Sequence, residues 1–251
     1  MIPKTIHYCW FGDAQKSDLN KRCLDSWRRV LTDYDIKEWN ENNCNLDSEY
    51  CREAYKKGLW ARLSNHVRLQ TLYSKGGIYL DTDVEVLKRF EPLLRDQCFL
   101  GFQQTTEDAD WVNSAILGAQ PAHPFINRCL RLTEALYAET GNFFRSPSIV
   151  TTVLKNMGLT KYGLQELNDV KIYPAEYFYP FPWFSKFSPA CIKENTYSVH
   201  YWEGSWLKQM ETDLPPNHRF KKLVFSVRRR IYRTSKRIEW ARTKQLHDDD
   251  C

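Results

Sequence analysis

Residues Gly76-Gly77-Ile78-Tyr79-Leu80-Asp81-Thr82-Asp83-Val84-Glu85-Val86 constrain this chain more than any other stretch. Two glycines stop a preceding helix, a short apolar run follows, and that run ends in Asp-x-Asp. Alternate residues of a strand share a face, so the pattern predicts Asp81 and Asp83 projecting together from the end of a buried strand. Apolar residues flank the pair on both sides: Ile78, Tyr79 and Leu80 before, Val84, Val86 and Leu87 after. Carboxylates in such a setting need a cationic partner to offset lost hydration. A hard divalent cation, bound through oxygen and itself binding a diphosphate, suits this spacing. Asp-x-Asp alone also fits a solvated turn; the apolar flanks are what favour the metal reading.

Strands are expected over residues 4–11, 34–39, 98–102, 112–119 and 196–202. Amphipathic helices are expected over 18–31 and 59–75, the second running into Gly76, and two more helices over 124–139 and 146–157. Strands alternating with helices at this pace predict an α/β domain with a parallel or mixed sheet. Residues 169–184 are different, with seven aromatic side chains among Pro174, Pro180 and Pro182. The prolines exclude a regular helix. The stretch reads as an extended aromatic loop, either a substrate wall or a cover for the core.

Aromatic residues make up 14% of the chain and include nine Trp, which suggests that some rings face planar or sugar-like ligands. No run approaches the roughly 18–20 apolar residues that span a bilayer. The start, Met1-Ile2-Pro3-Lys4-Thr5, lacks the charged and apolar regions of a signal peptide. None of the eight Cys forms Cys-x-x-Cys, so zinc-site spacing is absent. Scattered thiols without an export signal predict a cytoplasmic, reducing location. Between residues 219 and 244 lie eleven Lys or Arg and one acid, Glu239, with Phe220, Leu223, Val224, Val227 and Ile231 at helical spacing. This predicts a basic helical extension over 211–251 following a catalytic domain over 1–210. Such a helix suits peripheral contact with the inner face of the cytoplasmic membrane, or it packs, solvated, on the domain. Aromatics are not interleaved with its basic residues in a binding-module pattern, which argues against nucleic acid as a partner. A Gly-x-x-x-x-Gly-Lys phosphate loop is also absent, which argues against a nucleotidyl- or phosphotransferase.

Four segments in fixed order carry a resemblance. They are Ile6-His7-Tyr8-Cys9-Trp10-Phe11-Gly12, Ser64-Asn65-His66-Val67-Arg68, the Gly-Gly-Ile-Tyr-Leu-Asp-Thr-Asp segment, and Tyr197-Ser198-Val199-His200-Tyr201-Trp202-Glu203-Gly204-Ser205-Trp206. Together they resemble glycosyltransferase family 32, the DXD-motif sugar transferases of capsule and polysaccharide assembly that include the yeast initiating α-1,6-mannosyltransferase. They are more distantly similar to the glucosylating domains of large clostridial toxins. The resemblance implies a GT-A fold, a mixed, mostly parallel nucleotide-binding sheet flanked by helices. It implies a retaining hexosyltransferase that uses Mn2+ or Mg2+ and a nucleotide-sugar donor, with a UDP-sugar favoured and a GDP-sugar also allowed. The acceptor it implies is a glycan or a lipid-linked oligosaccharide. Trp10 matches a ring beside the nucleobase, with a core Trp as the alternative. Asp81 and Asp83 match the motif carboxylates, Asp83 being the direct metal ligand. Tyr79 and Asn113 match residues near the donor sugar, and Arg68 matches a donor contact. His200 is a candidate metal or diphosphate contact, against the plainer reading of a hydrogen-bonded core histidine. Ser205 and Trp206 match a segment that closes over the diphosphate. Asn65 departs from the pattern, standing where an Asp is usual; an uncharged side chain there would leave Arg68 free for the donor phosphates. The competing reading is a nucleotide-sugar- or glycan-binding protein with degenerate catalysis.

Overall fold

Local signals set the elements of the computed structural model, which describes residues 1–203. Strand β1 (Thr5–Cys9) leads to helix α1 (Asp18–Val30), which opens with a reciprocal cap: the Ser17 side chain accepts from Asn20 N, and the Asn20 side chain accepts from Ser17 N. Strand β2 (Asp35–Trp39) follows, then helix α2 (Glu49–Lys56), started by Ser48 accepting from Cys51 N. Helix α3 (Trp60–Lys75) stops at Gly76. Strands β3 (Gly77–Leu80) and β4 (Val84–Val86) flank the Asp-x-Asp segment. Strands β5 (Cys98–Phe102) and β6 (Val112–Ala119) precede helix α4 (Pro124–Thr140), which begins with proline and ends at Gly141 in the left-handed region. Helix α5 (Ser146–Asn156), strands β7 (Gln165–Leu167) and β8 (Val170–Tyr173), and strand β9 (Ser198–His200) complete the described chain.

Seven strands form one sheet in the order β2-β1-β3-β6-β5-β8-β7. Strands β2, β1, β3, β5 and β8 run in one direction, and β6 and β7 run against them. The sheet is therefore mixed and mostly parallel. Strand β3 lies inside it, between parallel β1 and antiparallel β6, so its four residues are all buried. The core divides into two clusters, as the alternation of β3 requires: Tyr79 packs with residues of α2, α3, α4 and α5, while Ile78 and Leu80 pack with α1, β4 and Phe178. Among the described residues no helix is long and apolar enough to cross a membrane.

Three expectations are corrected. Helix α2 lies where no element is expected. The stretch expected to be a loop from residue 169 instead begins with β8, which pairs with β5 and is joined to β7 by Asn168 and Asp169, both at positive φ. The first proline follows β8, so it does not interrupt the ladder. Strand β9 is shorter than expected and pairs with β4 in a separate two-stranded sheet. Beyond β8, Phe178, Tyr179, Phe181 and Phe184 are buried, so most of the aromatic stretch covers the core. The predicted extension over 211–251 and the segment with Ser205 and Trp206 lie outside the described residues.

Candidate active site

The site forms where β3 leaves the sheet. The strand ends at Leu80, so strand alternation is not what brings Asp81 and Asp83 together. A tight turn does this, closed by Val84 N donating to Asp81 O at 3.1 Å and anchored by Asp81 N donating to Ala115 O at 2.8 Å. Strand β4 then pairs antiparallel with β9, placing Val84 opposite His200. This pairing carries His200 across 117 positions of sequence to Asp83, with Nε2 3.1 Å from Oδ1. One ligand atom from each of Asp81, Asp83 and His200 lies within 4.8 Å of the others.

Each group is held from behind. The Arg68 guanidinium, 4% exposed, donates to Asp81 Oδ1 at 2.7 Å and to Ser114 O and Oγ at 2.6 and 2.9 Å. The same guanidinium lies over the buried Tyr79 ring, 4.2 Å from its centroid. Asp81 and Ser114 thus engage both terminal nitrogens of Arg68. The Asp81 side chain keeps 30% exposure and opens the site to solvent. Asp83 accepts at Oδ2 from Glu203 N at 2.8 Å. The His200 ring packs 4.1 Å from Trp202 and 5.8 Å from Tyr179. Buried His200 Nδ1 and Arg68 Nε have no hydrogen-bond partner among the described residues.

Electrostatics divide the two carboxylates. Burial holds Asp81 above the ordinary carboxylate range; Arg68 opposes this shift and the neighbouring Asp83 adds to it. Burial acts the same way on Asp83, but the charge and hydrogen bond of His200 and the Glu203 N–H outweigh it and hold Asp83 low. His200 is raised: burial opposes its charge, and the pull of Asp83 prevails. Two carboxylate oxygens and one imidazole nitrogen converging on one spot are chemically a fit for a divalent cation.

Trp10, Asn65 and Asn113 lie on or next to β1, α3 and β6. Trp10 is half-buried just past β1, the strand that pairs with β3; its Nε1 donates to Ala14 O at 2.8 Å and Lys16 Nζ lies 4.9 Å from its ring. Lys16 is paired in turn with Glu38 at 2.7 Å, and Tyr8 OH donates to the same carboxylate oxygen at 2.7 Å. Asn65 is half-buried on α3, one turn before Arg68. Asn113 is buried on β6 and committed to protein partners: Nδ2 donates to Gln103 Oε1 and Oδ1 accepts from Ala115 N, each at 2.7 Å. Sequence reasoning missed Ser114 and Glu203, whose contacts arise only from the β3–β6 pairing and the return of β9.

Residues 17–100 match the family described as "Glycosyltransferase sugar-binding region containing DXD motif", and residues 118–233 match "Alpha 1,4-glycosyltransferase conserved region". Lactosylceramide 4-alpha-galactosyltransferase of Rattus norvegicus is 34% identical over 169 residues, which cover 62% of this chain and 44% of that protein. The chain thus spans less than half the length of that relative. An uncharacterized glycosyltransferase of Acanthamoeba polyphaga mimivirus is 24% identical over 226 residues, 84% of this chain and 86% of its own length. The solved PaToxG glycosyltransferase is similar in fold, with a TM-score of 0.50 and 19% identity over 62% of this chain and 69% of that one.

Proposed function

Because the chain belongs to the DXD-motif glycosyltransferases, we propose that it transfers a hexose, with retention, from a nucleotide-sugar to a glycan or lipid-linked acceptor. The observation that carries the reading is the convergence of Asp81, Asp83 and His200 with Arg68 locked behind Asp81. These residues would hold Mn2+ in preference to Mg2+, since one donor is an imidazole and Mg2+ favours an all-oxygen shell. When bound, the cation supplies Lewis-acid neutralisation of the leaving diphosphate. A UDP-sugar is the favoured donor, and the named activity of the mammalian relatives points to galactose and an α-linked product on a glycolipid. The expected setting is polysaccharide or glycolipid assembly.

The chain's own residues divide the work. Arg68 fixes the direction of Asp81 through a fork that Lys has no geometry to reproduce. His200 and the Glu203 N–H fix Asp83 and keep it ionised. Trp10 offers its ring to the nucleobase, and Asn65 offers an uncharged amide near the donor. Asp81 and Asp83 would hold the cation, and the buried Asn113 and its partner Gln103 are amides. None of these is a carboxylate placed for a double displacement. Front-face attack is the route we infer: the acceptor oxygen bonds to the anomeric carbon, the carbon–phosphate oxygen bond breaks, and the departing phosphate takes the acceptor proton. A glycosyl-enzyme adduct trapped and located by peptide mass spectrometry would contradict this route.

The test of function is nucleotide release across UDP- and GDP-sugars with Mn2+, with and without EDTA. Slow, EDTA-sensitive release from one donor supports a transferase and names the sugar. Donor binding by calorimetry with no release, even after glycan and glycolipid acceptors are added, would favour the degenerate binding protein that Asn65 suggests.

A further inference from the structure

Helix α1 grips the whole segment that carries the two carboxylates. Trp27 Nε1 donates to Val84 O at 2.7 Å, and Ser26 Oγ accepts from Val86 N at 2.9 Å. Asn20, 2% exposed, continues this row to residue 82: its Nδ2 donates to Thr82 O at 3.4 Å and to Glu203 Oε2 at 2.8 Å. Its Oδ1 meanwhile accepts from Ser17 N and Ser17 Oγ, each at 3.0 Å. Both amide hydrogens and both acceptor positions are therefore used. One buried side chain ties the start of α1, the middle of Asp81-Thr82-Asp83, and the chain leaving β9.

The tie to Glu203 reaches the chemistry. Glu203 gives its side chain to Asn20 and its backbone N–H to Asp83 Oδ2 at 2.8 Å. Holding the side chain sets where the N–H points. The preceding Trp202 has φ 56, a left-handed conformation that a bulky residue rarely adopts. Its Nε1 donates to Phe181 O at 2.9 Å and its ring lies against His200, which secures the bend that turns Glu203 back onto Asp83. We propose that Asn20 is a positioning residue for the cation site: by bolting Glu203 to the Thr82 turn it holds the Asp83 carboxylate beside Asp81 and His200. This inference rests on the metal reading given above. An uncharged amide suits the post, because a carboxylate there would face Glu203 and the Thr82 carbonyl with no hydrogen to offer.

The test is Mn2+ binding to the full chain, read from the free-ion electron paramagnetic resonance signal, in wild type, N20D, E203Q and N20D/E203Q. The carboxylate introduced by N20D still caps α1, and its added negative charge alone would tighten Mn2+ binding. The bolt predicts the opposite, about tenfold weaker binding in N20D. In N20D/E203Q the polarity is reversed, with the amide introduced at position 203 donating to the carboxylate introduced at position 20. The tie to position 203 is thereby rebuilt while the Thr82 carbonyl stays without its donor, so affinity recovers in part, to about threefold below wild type. Hydrogen–deuterium exchange in EDTA supplies the metal-free readout: peptides covering residues 81–85 and 198–203 exchange faster in N20D, and the 198–203 peptide recovers in the double variant. Unchanged or tighter Mn2+ binding in N20D, or no recovery in the double variant, overturns the proposal. Wild type that binds no Mn2+ brings down the metal reading itself, an outcome distinct from an N20D variant that binds as wild type does.

Discussion

The two ends of β3 each meet a buried histidine, and the two histidines are used in opposite ways. At the entry, His7 accepts from Trp39 Nε1 at Nδ1 (3.1 Å) and donates from Nε2 to Gly76 O (2.9 Å). Both ring nitrogens are satisfied by neutral groups, and burial, opposed only by the Gly76 bond, pushes its pKa down to about 4. At the exit, His200 has one nitrogen on a carboxylate and the other without a partner among the described residues, and its pKa is raised. A buried histidine with every valence filled by the fold is structural. One that faces two carboxylates with a valence open has bonding capacity left for a ligand. Burial alone does not separate the two cases; the partner list does.

The sharpest way to break this contrast is Asp83→Asn. It should lower nucleotide release by about a thousandfold, ~4 kcal/mol of barrier, while leaving thermal stability close to wild type. Parallel losses of fold and activity would mean that Asp83 is structural after all.

The entry end should respond to pH instead. His7 has a folded pKa of about 4 against an ordinary value of 6.5. Between these values the unfolded chain binds a proton that the native chain refuses, so stability is present above 6.5 and falls as pH drops through 4. The loss is about 3 kcal/mol, read as the pH slope of denaturant midpoints that His7→Gln flattens. An equal slope in that variant would assign the pH dependence to other groups.

Gly77→Ala probes the same end by sterics. Gly77 has φ 101, and an added Cβ would lie 2.7 Å from Thr5 O and 2.8 Å from His7 Nε2. The substitution should destabilise the chain by about 3 kcal/mol in chemical denaturation while the folded fraction keeps its turnover. The smallest expected effect is His200→Ala, which should weaken Mn2+ binding by about 10–100-fold with little change in melting temperature. A strongly lowered melting temperature with unchanged Mn2+ affinity would put His200 in the same class as His7.

Much of this was legible because the signals are local. The Gly76-Gly77 stop, the apolar run and the two acids mark β3 and its exit without reference to the rest of the chain. Capped and proline-initiated helices α1, α4 and α5 came within one or two residues of their observed bounds. The eight residues of α2 went unseen because two turns are too short a window for their apolar face, Tyr50, Cys51 and Ala54, to stand out. Strands β7 and β8 were hidden by the aromatic stretch behind them, although Asn168-Asp169 between short strands is a hairpin signal. At the site, residue types were readable and their wiring was not. Arg68 could be named from sequence, but its commitment to Asp81 and Ser114 depends on α3 lying against the β3–β6 pair. Asn20 is the third residue of α1, and only the return of β9 gives it Glu203 as a partner.

The most direct test of the account is a crystal of the protein grown with Mn2+ and UDP, measured at the manganese absorption edge. The account predicts a single anomalous peak among Asp81, Asp83 and His200, absent from crystals of Asp83→Asn. Bound UDP with no peak there, and His200 still hydrogen-bonded to Asp83, would contradict it.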